Sequence, residues 1–119
     1  IFTKGLEALT VECLATAEAR GLREQLYLVL SDIDEMSLRE LMESLIRTHI
    51  PHASRRRNEV VEAQRQMRLA GLHSLMLPAT QMLFERTMAR SLQTPLEGKA
   101  TDDALQWLIA SARGPLLDS

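Results

Sequence analysis

Cysteine is almost absent from this 119-residue chain, and the single one, Cys13, can neither close an internal disulfide nor build a zinc site. Aromatic residues are equally scarce, with only Phe2, Tyr27, Phe84 and Trp107. Without aromatic or β-branched runs there is little to favour a sheet. The five glycines stand at 5, 21, 71, 98 and 114, no two closer than 16 positions. A dinucleotide-binding turn or a P-loop needs glycines a few residues apart so that backbone N–H groups can approach phosphate. That spacing excludes both routes to a nucleotide, so the chain itself is expected to bind no cofactor. No apolar run approaches the roughly 18 residues of a membrane span, and no secretory leader is visible. A formal charge of −2 at pH 7 argues against a generic nucleic-acid binder.

What the chain does have is leucine, 21 times, and six methionines among 45% hydrophobic residues. Leu, Ala and Met without β-branched runs favour helices. The composition predicts one all-α domain over residues 1–119, a compact bundle of about six helices in a cytoplasmic protein.

The first helix is expected from Phe2 to Arg20. Leu6, Leu9, Cys13 and Ala17 form its main apolar stripe, and Ala8, Val11, Leu14, Ala15 and Ala19 widen it. So broad a surface suggests a helix packed on several sides, with Cys13 in its core. Ile1 has no capping residue before a strongly helical run, as if the chain began inside a longer helix. Gly21 then marks a helix stop. Two short helices follow, at 22–30 and about 34–48, the latter with Ser37 and Glu40 spaced as a capping box. Pro51 is expected to end that segment and open a helix from 51 to 70, stopped by Gly71. Pro78 opens the next, to Leu92, with Met82, Leu83 and Met88 facing inward. Residues 93–100, holding Pro95 and Gly98, read as a surface loop. Thr101 and Asp102 cap a final helix over 101–113, and Gly114-Pro115 ends it. The methionines read as core filler.

Arg55-Arg56-Arg57 is the densest charge cluster. Successive helical residues lie about 100° apart, so the three fan around the helix and cannot make one flat phosphate-binding stripe. A solvated face offset by Glu59 and Glu62 is one reading; a carboxylate contact by one arginine is the other. His49, His52 and His73 lack the spacing of a metal site, and no metal is expected. His52, however, lies i+3 and i+4 from Arg55 and Arg56 and shares their face, with Asn58 at its edge. Arg57 is expected to point elsewhere, into solvent.

Two stretches resemble a known family. Thr3-Lys4-Gly5-x-x-Ala8-Leu9, Glu12 and Ala17-Glu18-Ala19-Arg20-Gly21-Leu22 look like the long central helix of the β-hydroxyacid dehydrogenases, which include 6-phosphogluconate dehydrogenase. Pro51-His52-Ala53-x-Arg55-Arg56-x-x-Glu59-Val60-x-Glu62, Gly71-Leu72 and Pro78-Ala79-Thr80 resemble a C-terminal domain of unassigned function found in a divergent branch of that family. The resemblance covers residues 1–92.

The resemblance implies a 6-phosphogluconate dehydrogenase C-terminal-like fold. It implies an NAD- or NADP-binding Rossmann domain ahead of Ile1, a homodimer, and a hydroxy-acid-like substrate, with no nucleic acid or membrane partner. The family's proton-transferring lysine would fall about one turn before Ile1, so Lys4 does not occupy its place. Asn58 and Glu59 stand where one branch carries a Lys-Asp pair. No catalytic residue is therefore expected in this chain, and His52, Arg55, Arg56 and Asn58 are the expected substrate-facing set. A free-standing helical sensor or protein-interaction domain shares the same composition and helix count, and is the alternative.

Overall fold

Five α-helices and one short 3-10 turn make up the described residues of the computed structural model, 1–114, which contain no strand. They are α1 (Phe2–Ala19), α2 (Arg23–Val29), the 3-10 turn (Ser31–Glu35), α3 (Leu38–Leu69), α4 (Met76–Gln93) and α5 (Thr101–Ala112). The all-α expectation holds. Pro115, read as part of the last stop signal, lies outside the described residues.

Six expected helices become five because Pro51 breaks nothing: α3 runs 32 residues straight through it. An internal proline removes one helical hydrogen bond and costs about 3 kcal/mol. Burial on both sides of it offsets this. Ile50 and Ala53 are buried, and Ile50 belongs to the cluster with Ala104 and Trp107 of α5, flanked by Ile46, Leu96 and Leu108. The spacing was there to see. Positions 46, 50, 53, 57, 60, 64 and 67 alternate steps of four and three, one continuous helical seam across the proline.

The stop signals act as the residues demand. After α1 the chain turns at Gly21, φ +69°, with Leu22 N–H donating to Ala17 O at 2.8 Å. After α3 it turns at Gly71, φ +76°, with Leu72 N–H donating to Met67 O at 2.9 Å. Both are Schellman closures, in which a left-handed residue lets late amides reach early carbonyls. Ser37 caps α3, its Oγ accepting from Glu40 N–H at 3.1 Å. At α5 the expected caps shift. Thr101 is already helical, and Asp103 reaches back to accept from Ala100 N–H at 3.2 Å.

The first helix departs most from expectation. No residue of α1 is buried, and Leu6, Leu9 and Val11 are exposed. Cys13 is exposed as well, not in a core. Met82 and Leu83 of α4 also face outward, and of the methionines only Met67 is buried. The stripes are apolar as read, but in the described residues they lie largely exposed.

Glu12 provides the firmest polar tie between α1 and the rest. Its carboxylate accepts from Ser74 Oγ at 2.6 Å, Leu75 N–H at 2.6 Å and Met76 N–H at 3.0 Å, while Ser74 Oγ accepts from Leu77 N–H at 2.8 Å. Pro78, next in line, has no N–H to satisfy. A side chain from α1 thus completes the donor set at the start of α4. Glu12→Ala is expected to cost about 1–2 kcal/mol, the scale of a lost helix cap. It should also raise amide exchange across α1 selectively, read by hydrogen–deuterium exchange; uniform exchange across all helices would refute the tie.

Candidate functional site

The side chains that meet on α3 begin one turn before the expected set. His49, His52 and Arg56 stand at i, i+3 and i+7, a single stripe of the helix. Arg56 lies back along the axis, as helical side chains do, and its Nη2 donates to Thr48 Oγ1 at 3.0 Å. Thr48 gives its own proton to Ser44 O at 2.8 Å. Arg56 as a residue is partly buried, and no carboxylate among the described residues pairs with it; the ion pairs there lie elsewhere.

His49, weighed in the sequence only as a metal ligand, is the residue that the expected substrate-facing set leaves out. It sits half-buried between α3 and α4, its ring centroid 5.0 Å from that of Phe84 and its Nε2 2.8 Å from Thr87 Oγ1. Thr87 is 1% exposed and donates to Leu83 O at 3.3 Å. Either partner can donate across the 2.8 Å contact, according to the imidazole tautomer. Burial first, and the Arg56 charge second, hold the His49 pKa below its ordinary 6.5. The imidazole is therefore neutral at pH 7.

Of the expected substrate-facing residues, His52 and Arg56 share this stripe. Arg55 is exposed on its flank, and His52 is exposed in mid-helix rather than at a helix start. Asn58 turns toward the other side, where its Oδ1 accepts from Arg57 Nη1 at 3.5 Å. Arg57 is not solvated. Its Nε and Nη2 donate to Glu85 Oε2 at 3.0 and 2.8 Å, and both side chains are about two-thirds covered. Position 57 belongs to the seam that α3 presents to α4, so its charge has to be paired there. Gln64, two turns on, donates to Gln81 Oε1 at 2.7 Å and continues the polar part of the seam. The expected offset of the arginines by Glu62 fails too: Glu62 binds Arg65 and Gln66, which draw its pKa down to about 2.

A second feature lies at the other end of the bundle. An open apolar cavity of about 600 Å³ runs between α1 and α2 and the facing ends of α3 and α4, with Leu9, Cys13, Ala17, Leu26, Val29 and Met67 on its walls. Arg20, the residue that follows α1, lies on its lining and donates to Gln66 Oε1. Its size suits a small organic ligand or the side chains of another protein element. Among the described residues no three His, Cys, Asp or Glu side chains converge as metal ligands would, and no helix is long and apolar enough to cross a membrane.

Two groups set an acid dependence. His49 has a lowered folded pKa, so the folded state binds fewer protons than the unfolded one below pH 6.5. Its contribution to stability is whole above that pH and is lost as the pH falls toward the folded value. Burial works to raise the Glu12 pKa, but the bonds from Ser74, Leu75 and Met76 outweigh it and leave the value below 4.5. That contribution fades only below pH 4.5. Urea midpoints measured against pH should therefore decline in two steps, and His49→Gln should remove the upper one. An unchanged upper step in the variant would rule His49 out as its source.

The described helices and this α3 stripe define an all-α domain with a cationic, histidine-bearing face. The chain matches the family described as Domain of unknown function (DUF1932) over residues 17–87, more than half its length, and belongs to that family. No curated protein and no solved structure matches it. The match takes in His49, His52, Arg56, Arg57 and Glu85, and begins at Ala17, after most of α1.

Proposed function

We propose that the chain is the C-terminal dimerisation and substrate-site domain of an NAD(P)-dependent oxidoreductase acting on a hydroxy-acid-like substrate, with the fold of the 6-phosphogluconate dehydrogenase C-terminal domains. The observation that carries this is α1: eighteen residues, apolar over most of the circumference, and none of them buried. A helix of that kind needs cover from outside the chain. The resemblance supplies two sources, a second subunit and a Rossmann domain preceding Ile1. The α3 stripe supports the substrate half, because a partly buried arginine without a carboxylate partner among the described residues is suited to bind one.

The residues present do not fit a dinucleotide. The positive-φ glycines Gly21, Gly71 and Gly98 serve three separate turns, whereas a dinucleotide turn sets its glycines a few residues apart. In this proposal the nicotinamide chemistry belongs wholly to the other domain, and this chain contributes binding and orientation of the substrate.

The deciding experiment is nicotinamide reduction by the full-length protein with a panel of hydroxy acids. Turnover of at least one is expected; a nucleotide-binding protein that turns over none would overturn the oxidoreductase assignment. The dimerisation half is read separately, by sedimentation of this chain at about 50 μM, where a dimer mass is expected and a monomer would count against it. The apolar cavity favours a second reading, a free-standing helical sensor. For that reading a monomer that gains thermal stability from small apolar ligands is the distinguishing result.

A further inference from the structure

We propose that the cavity between α1, α2 and the facing ends of α3 and α4 binds an unbranched alkanoic acid of about eight to ten carbons, its carboxylate on Arg20 and its chain along the Leu9–Cys13–Ala17 stripe. The site stands apart from the α3 stripe and does not depend on the oxidoreductase reading.

The walls set the apolar half. Leu9, Cys13 and Ala17 follow one another at i, i+4 and i+8 on α1, and Ala63 and Met67 line the cavity from α3 one turn apart. Eight residues at a rise of 1.5 Å give the α1 stripe a length of about 12 Å, close to that of an extended chain of about ten carbons. Cys13 is exposed although its neighbours along the stripe are apolar, because it borders this open space. The volume of about 600 Å³ falls in the range that holds small organic ligands.

Charge sets the other half. Glu12 and Arg20 both line the cavity, and they differ in how they are occupied. The Glu12 carboxylate is taken up by Ser74, Leu75 and Met76 at the start of α4. Arg20 donates through Nη1 to the neutral Gln66 amide, and no ion pair among the described residues includes it. Gln66 donates in turn to Glu62, whose carboxylate is paired with Arg65. The Gln66 bond therefore positions the Arg20 guanidinium without neutralising it, and the remaining N–H donors are free to hold an oxyanion. Along α1, Arg20 lies at one end of the stripe and Leu9 at the other. An apolar slot with one uncompensated cation at its end matches an amphiphile with an acid head. Val11 and Leu14 line a separate groove of α1, so a second copy held there and an acid in the cavity use different sides of the helix.

Cys13 is the only cysteine of the chain and stands on the cavity wall, so its alkylation by iodoacetamide reports occupancy without any substitution. Saturating octanoate should slow that reaction at least tenfold, while butyrate, of the same charge, should leave it unchanged. Calorimetry should give one octanoate per chain. Hexanoate should bind about fifteenfold more weakly, the effect of two methylenes, and 1-octanol about tenfold more weakly, the effect of losing a charge-assisted hydrogen bond. Arg20→Gln, at an exposed side chain, should make octanoate and octanol equal and keep the dependence on chain length. Cys13→Phe, which fills the cavity, should remove binding of both. Alkylation unaffected by octanoate would overturn the proposal. So would equal affinities for octanoate and octanol in the unaltered chain, or an Arg20→Gln variant that keeps the full preference for the acid. A sedimenting mass that falls when octanoate is added would show a second copy seated in the cavity and would overturn it as well. None of these measurements needs turnover: failure here leaves the oxidoreductase reading untouched, and failure of that reading leaves this site in place.

Discussion

Trp107→Ala should cost about 3–5 kcal/mol, a large share of what a domain this size has to spare. Trp107 is 7% exposed and sits at the centre of the cluster with Ile50 and Ala104, the place where α5 is held on α3. Its Nε1 donates to Thr94 O at 2.7 Å, which ties down the segment entering α5, and Arg90 stacks on its ring with the guanidinium carbon 5.4 Å from the centroid. Truncation removes the packing, the bond and the stacking surface together. The expected result is a large drop in urea midpoint and new trypsin cleavage at Lys99, since α5 loses its anchor. Trp107→Phe keeps most of the packing and should lose only about 1–2 kcal/mol, the cost of leaving the Thr94 carbonyl unpaired. Similar midpoints for the Ala and Phe variants would mean that the hydrogen bond, and not the ring, holds α5.

The second large effect separates two adjacent arginines. Arg57→Ala should destabilise the domain by about 2 kcal/mol, because it strands the Glu85 carboxylate in the α3–α4 seam. The figure lies below that of a fully buried pair because both partners keep about a third of their surface in water. Exchanging both for apolar residues, Arg57→Met with Glu85→Leu, should recover most of the loss. Arg56→Ala should leave stability within about 0.5 kcal/mol and act on function instead. Under the proposed function, the full-length protein should lose more than tenfold in kcat/KM, about 1.4 kcal/mol of transition-state binding. Denaturation midpoints and steady-state rates on the same two variants check the pair. Stability loss at Arg56 with none at Arg57 would reverse the roles.

Much of this was legible in the residues. Gly21 and Gly71 announce their turns because few other residues take a positive φ there, and Ser37 announces its cap three residues ahead of the amide it accepts. What failed, failed where local rules met tertiary ones. Pro51 ranks as a helix breaker by itself, but the four-three seam that continues past it buries Ile50 and Ala53 and prevails. Arg57 looked like one more member of a charged run because the run was read as a surface. The same seam, followed as far as Gln64, would have shown both as polar residues in a packed position. Cys13 looked like core because its neighbours are apolar, and a stripe records only the need for a partner. His49 could not have been found from spacing, since its partners Phe84 and Thr87 are 35 and 38 residues away and meet it only once α4 has folded back.

The polar seam also bears on how the α3–α4 hairpin finds one alignment out of several. Leucines, alanines and methionines on two antiparallel helices pack almost as well when one helix slides by two turns. If α4 slides by seven residues in one direction, Arg57 and Gln64 come to face Leu92 and Met88; in the other direction they face Pro78 and Ser74. The first slip strands a guanidinium and an amide against apolar groups, and either one separates Arg57 from its carboxylate. The correct register is the one in which Glu85 and Gln81 are opposite. Apolar burial then drives the two helices together, and an ion pair, an amide pair and the His49–Thr87 bond decide where along their length they stop.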